Sequence, residues 1–159
     1  MALETWELLS YVVTVVGLPL AIFVFLFNER KERENEEEAV YQLLSDNYQE
    51  FLKVALDNPD LRLFSSADKV ELSQEQEERQ FIIFKMLVSL FERAYLLLFE
   101  ERMSDRQARR WHSWEDYIHE WCGRPEFRAD LPRLLHGEDP DFVRYVQKLA
   151  AGTLPSAGR

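Results

Sequence analysis

Several things are scarce in this chain, and each scarcity removes a class of function. Glycine occurs five times, and neither G-x-x-x-x-G-K-[ST] nor G-x-G-x-x-G is present, so no loop is built to cradle a nucleotide's phosphates. No G-x-S-x-G occurs, and three histidines, His112, His119 and His136, are the whole supply of imidazole bases. One cysteine, Cys122, permits no internal disulfide and fits a reducing compartment. It stands beside Gly123 without a clear base, which reads as a packed small residue. No segment alternates apolar and polar residues as a half-buried strand does, and no repeat is visible. Basic residues are outnumbered 19 to 29, a net charge of -10, which disfavours DNA and general nucleic-acid binding.

What is present is apolar and aromatic. The 159 residues are 47% hydrophobic and 13% aromatic, enough to build a core. The run Leu8–Phe27 is 20 residues without a charge. At 1.5 Å per residue it measures roughly 30 Å, the thickness of a bilayer's hydrocarbon. Arg30, Lys31 and Arg33 follow it, and only Glu4 and Glu7 carry charge before it. Positive charge on one flank predicts a single anchor with the N-terminus outside and the remainder in the cytoplasm. A basic leader and a small-residue cleavage site are both missing, so a retained anchor is expected rather than a signal peptide. Trp6 and Tyr11 suit the outer interface, and Pro19 predicts a bend. Gly17 and Ala21 form a small-xxx-small pair through which such helices associate.

The expected fold is all-α, with an N-terminal transmembrane helix continuing into a cytoplasmic bundle of about four further helices. Residues 1–28 form the anchor. Residues 29–58 form a charged stalk, with pairs such as Arg30–Glu34 and Arg33–Glu37, and then an amphipathic helix on Val40, Leu43, Leu44, Phe51, Val54 and Ala55. Asn58-Pro59 ends that helix. Residues 59–152 form the bundle, beginning with an apolar hook at Leu61, Leu63 and Phe64. Ser73–Gln76 is a capping box opening a helix to Phe99, apolar nearly all round and therefore central. Lys85, Glu92 and Arg93 interrupt it and argue against a second span. Ser104–Gln107 is a second capping box, followed by a stripe of Trp111, Trp114, Ile118 and Trp121. A short helix over 126–135 comes next, then Asp139-Pro140 opens the last one. Residues 153–159 are a flexible tail.

Candidate chemistry is confined to the tryptophan helix. Arg106 and His112 match the R-x(4–6)-H pattern of HEPN ribonucleases, in which arginine holds the RNA phosphate and histidine moves the proton. The architecture also resembles the membrane-anchored helical accessory effectors of CRISPR defence. His112, Asp116 and His119 share a helix face at metal-binding steps, although one helix supplies only three ligands. Trp111, Trp114 and Trp121 are either core or interface anchors, with core favoured and Trp111 expected to be the less buried.

The order of features resembles a group of uncharacterised bacterial single-pass membrane proteins. The likeness is carried by the anchor, the stalk, Asp60–Phe64, Glu92–Tyr95, Trp111–Trp121 and Arg124–Phe127. It implies the bacterial inner membrane and a helical cytoplasmic domain, and no activity. The expected function is a non-enzymatic interaction protein without cofactors, an oligomer or an accessory subunit of an inner-membrane complex. Its expected partners are the lipid bilayer and either itself or another membrane protein. The alternative is a HEPN-like ribonuclease or membrane effector in antiviral defence, the only case that calls for RNA.

Overall fold

The computed structural model describes residues 17–65 and 71–152. Among them the chain forms five α-helices and no strand: α1 (Leu18–Asp57), α2 (Gln74–Leu98), α3 (Asp105–Cys122), α4 (Pro125–Leu134) and α5 (Pro140–Gly152). The chain divides within α1 into two compact units, Met1–Gln42 and Leu43–Arg159. The second unit takes in the last part of α1, from Leu43 to Asp57. The reason is packing: Leu44, Phe51 and Ala55 of α1 are buried core residues.

Each helix of the second unit starts and stops for a local reason. The α1 C-terminus is closed by Asn58, whose Nδ2 donates to the Val54 carbonyl at 2.8 Å. Pro59 cannot continue the helical ladder, and a single tight turn, Pro59–Leu61, follows. Arg62 adopts φ +48°, the left-handed conformation that swings the hook around. Leu61 and Leu63 are thereby buried. Ser73 Oγ accepts from the Gln76 N–H while Gln76 Oε1 accepts from the Ser73 N–H, a complete capping box. Ser104 and Gln107 repeat the device on α3. Asp139 Oδ1 accepts from the backbone N–H of Asp141 (2.9 Å) and Phe142 (3.1 Å), capping α5.

The core is aromatic. Trp111, Trp114 and Trp121 are 2%, 3% and 0% exposed. Trp121 collects edge-to-face contacts from Phe51 of α1, Phe64 of the hook and Phe84 of α2, at 5.2–5.9 Å, and a tilted one from Phe127 of α4. Trp111 meets Tyr95 and Phe99 at the far end of α2 and Tyr145 of α5. Tyr48 stacks on Tyr117 at 4.6 Å, seating α1 on α3. Arg124 fixes the hook: its guanidinium lies over Trp121 and Phe64 and donates to the Leu63 carbonyl and to Glu120. Gly123 fits closely at the end of α3, since a Cβ there would stand 3.1 Å from the Glu120 carbonyl.

Two expectations need correction. Trp111 is as buried as Trp114, because α5 closes over the first turns of α3 through Tyr145. The helix expected to be buried all round is covered on one broad side only. Ile83, Phe84, Leu87, Val88, Leu90, Phe91 and Ala94 are buried, whereas Ile82, Met86, Leu96 and Leu97 are about half exposed.

Candidate functional site

The first candidate surface is the described end of the apolar run. Every large apolar side chain from Leu18 to Phe27 is between 47% and 67% exposed. Phe23 and Phe27 stack on one another at 6.5 Å along the helix. Charge begins at Glu29, where Oε1 accepts from Arg33 at 2.9 Å. That pair runs back toward the N-terminus, and no Arg30–Glu34 pair forms among the described residues. Gly17 and Ala21 are both exposed. No helix among the described residues is long and apolar enough to cross a membrane. The described part of the run, from Leu18 to Phe27, rises only about 15 Å, half of a bilayer's hydrocarbon. The remainder of the expected anchor, with Trp6, Tyr11 and the turn preceding Pro19, lies outside the described residues, as does the expected tail.

The second candidate is a groove between α1 and α2 with a volume of about 650 Å³. The two helices are tied at one end, where Arg79 donates to Asn58 Oδ1 at 2.9 Å and to Asp60, and Gln76 donates to Asp60 at 3.1 Å. Those bonds, Gln76's first, hold the Asp60 carboxyl below its ordinary range. From that end the chain order places Val54, Phe81 and Ile82 first, then Met86 and Leu90, with Phe51 also lining the groove. Asn47, Ser89 and Arg93 stand toward the open end. Glu50 on the α1 wall is paired with Lys53.

Glu138 enters the groove from the α4–α5 connection, where Gly137 takes φ +95°. Burial first, then hydrogen bonding and charge from Glu92, push its carboxyl up to about 7, with Lys85 pulling the other way. Glu92 also accepts from the Asp139 N–H, so this helix-interior acid holds the start of α5. Glu92 thus finds its partner on another element, the entry to α5.

A third feature is a polar chain that sequence reasoning missed. Trp111 Nε1 donates to Tyr145 Oη at 3.2 Å, Tyr145 donates to Glu115, and Glu115 faces His112 Nδ1 at 3.1 Å. The Tyr145 bond, ahead of His112, holds Glu115 below the usual carboxylate range, while burial and Glu115 raise the Tyr145 hydroxyl. Tyr145 and Glu115 are 30 residues apart, and only the α3–α5 packing brings them together.

The remaining sequence candidates are not assembled into a site. Arg106 and His112 are both exposed, and neither lines the groove. Six residues at about 100° each leave them roughly 120° apart around α3. His112, Asp116 and His119 are exposed on a single helix. Among the described residues no group of three His, Cys, Asp or Glu side chains stands ready to hold a metal ion. The physical reason is that no second helix brings a ligand over that face, and His112 is engaged by Glu115. Trp111, Trp114 and Trp121 are spent inside the core. Cys122 is buried and its thiol is pushed up to about 11 by that burial, the reverse of a nucleophile.

Compared with known protein families, with characterised proteins and with solved structures, the chain matches none.

Proposed function

We propose that the protein is a membrane-anchored, non-enzymatic interaction protein of the bacterial inner membrane, with its helical bundle on the cytoplasmic side. It acts as an oligomer or as an accessory subunit of a membrane complex. The observation that carries this reading is the bare apolar stretch Leu18–Phe27, with all its large side chains between 47% and 67% exposed, giving way abruptly to the charged segment after Asn28. Contiguous apolar surface of that kind marks a partner or a lipid phase. The bilayer is favoured because the uncharged run continues in sequence back to Leu8, and because the cations Arg30, Lys31 and Arg33 collect on one flank. The exposed Gly17–Ala21 pair supports association between such helices.

The test is fractionation of the full chain followed by a topology measurement. The protein should pellet with membranes, resist high salt, and release only into detergent. A reporter fused after Arg159 should be protected until the cytoplasmic side is opened. Phe23→Arg with Phe25→Arg should move a large share of the chain into the soluble fraction. Release of wild type by salt alone would defeat the anchor, and a reporter facing the periplasm would defeat the orientation.

A further inference from the structure

The α1–α2 groove has the two-ended character of a binding site for an amphiphile. At the end tied by Arg79 its walls are Val54, Phe81 and Ile82, with Lys85 and Met86 beyond them. At the other end stand Asn47, Ser89 and Arg93. The twelve steps of α2 from Phe81 to Arg93 rise about 18 Å along it. Its volume of about 650 Å³ lies within the range of small-molecule pockets, roughly 300–1,000 Å³.

The charges select the ligand. In a chain where 29 acids face 19 bases, a basic side chain without an acid is the unusual state. Arg93 has no hydrogen bond or ion pair among the described residues, and Lys85 has only the attraction of Glu138. Of the two acids in the groove, Glu50 is already held by Lys53 at 2.6 Å, and Glu138 is pushed toward its neutral form by burial and by Glu92. A guanidinium with free donors at the mouth of an apolar slot matches a carboxylate on an apolar tail. A docked helix fits less well, since it needs an unbroken apolar strip on both walls. On α1 that strip is broken by Asn47 and Glu50.

We infer that this groove binds one long-chain fatty acid, its tail lying over Val54, Phe81, Ile82 and Met86 and its carboxylate held by Arg93 with Asn47 and Ser89. Nothing in the inference depends on where the chain resides, so it stands or falls apart from the anchor.

The experiment uses the full chain in nanodiscs of neutral phosphatidylcholine and a palmitate analogue carrying a mid-chain diazirine. On illumination, adducts should map to residues 81–90. Unlabelled palmitate should compete and hexadecanol should not. Arg93→Gln should lower labelling at least tenfold without moving the melting temperature, because the side chain is exposed and bonds to nothing it would strand. Met86→Trp, which fills the slot from its rim, should abolish labelling and leave the fold intact. Adducts confined to Leu18–Phe27, equal competition by hexadecanol, or undiminished labelling of Arg93→Gln would each overturn the site. So would cross-links joining the 81–90 segment to a second copy, which would make the groove a protein-docking surface.

Discussion

Leu18–Phe27 and the tryptophan helix α3 both carry large apolar groups, and those groups have opposite fates. On α3 the apolar groups fall on one stripe, with Arg, His, Asp and Glu on the other side. Neighbouring elements cover the stripe so completely that Trp121 has no exposed surface. On the first stretch the apolar groups run all round the helix, and none is covered. The lesson is about periodicity rather than hydrophobicity. A one-sided stripe tells a helix which way to face and recruits a protein core. An all-round coat gives no direction, and such a helix belongs either in the core of a larger assembly or in a membrane.

Truncating the covered stripe should do the most damage. Trp121→Ala removes the ring on which four elements converge and should cost about 3–5 kcal/mol, read as a fall in the full chain's melting temperature. Trp111→Ala should cost a similar amount, since it is equally buried. A small effect of either would mean that the bundle repacks and that the comparison overstates how α3 is held.

Next comes the polar chain beneath the stripe. Tyr145→Phe strands the Trp111 indole N–H and should cost about 1–3 kcal/mol at neutral pH. It also frees Glu115. Glu115 is held below its ordinary value in the fold, so it contributes stability that is present above the ordinary carboxylate range and lost as the solution is acidified through the lowered value. Tyr145→Phe should therefore flatten the acid limb of a denaturation series. An unchanged limb would remove Glu115 as its source.

Glu138 has the opposite sign. Its folded value, about 7, lies above the ordinary carboxylate, so its contribution is complete at low pH and fades as the pH rises from roughly 4.5 through 7. Glu92 and Lys85 are the charges that face it, and after solvent screening the swing should be about 1 kcal/mol. Glu138→Gln should erase that slope and leave stability near its acid-side level. Persistence of the slope would assign it to another group.

The smallest effect on stability should come from the uncovered stretch. Phe25→Ser should change the melting temperature by less than about 0.5 kcal/mol equivalent, because the ring is 67% exposed and supports no core. A large fall would show that the stretch is buried against protein, and the contrast with α3 would dissolve.

How much of this could be read from the residues follows the range of the signals. Ser73 and Ser104 with Gln76 and Gln107 announce helix starts because both halves of a capping box lie within one turn. Asp139-Pro140 does the same for α5, and the three- and four-residue steps of the tryptophans give the face of α3. What was not legible depends on partners brought from far away. Glu92 reaches the Asp139 N–H across 47 residues, and Arg79 reaches back to Asp60 across 19. The groove is invisible for a related reason. The apolar pattern of α2 says that Ile82 and Met86 belong with the apolar set, but not that the chain supplies too little cover for them.

The burial of Trp111, Trp114 and Trp121 along one helix also gives the chain an optical character. Three of its four indoles lie in α3, in dry, asymmetric surroundings crowded with other rings. Their emission should sit toward the blue and their near-ultraviolet dichroism should be strong. Both signals will collapse when α3 loses its neighbours, even if its backbone stays helical. The molecule thus carries a built-in dye for tertiary order, distinct from the far-ultraviolet signal to which the whole of α1 contributes whether covered or bare.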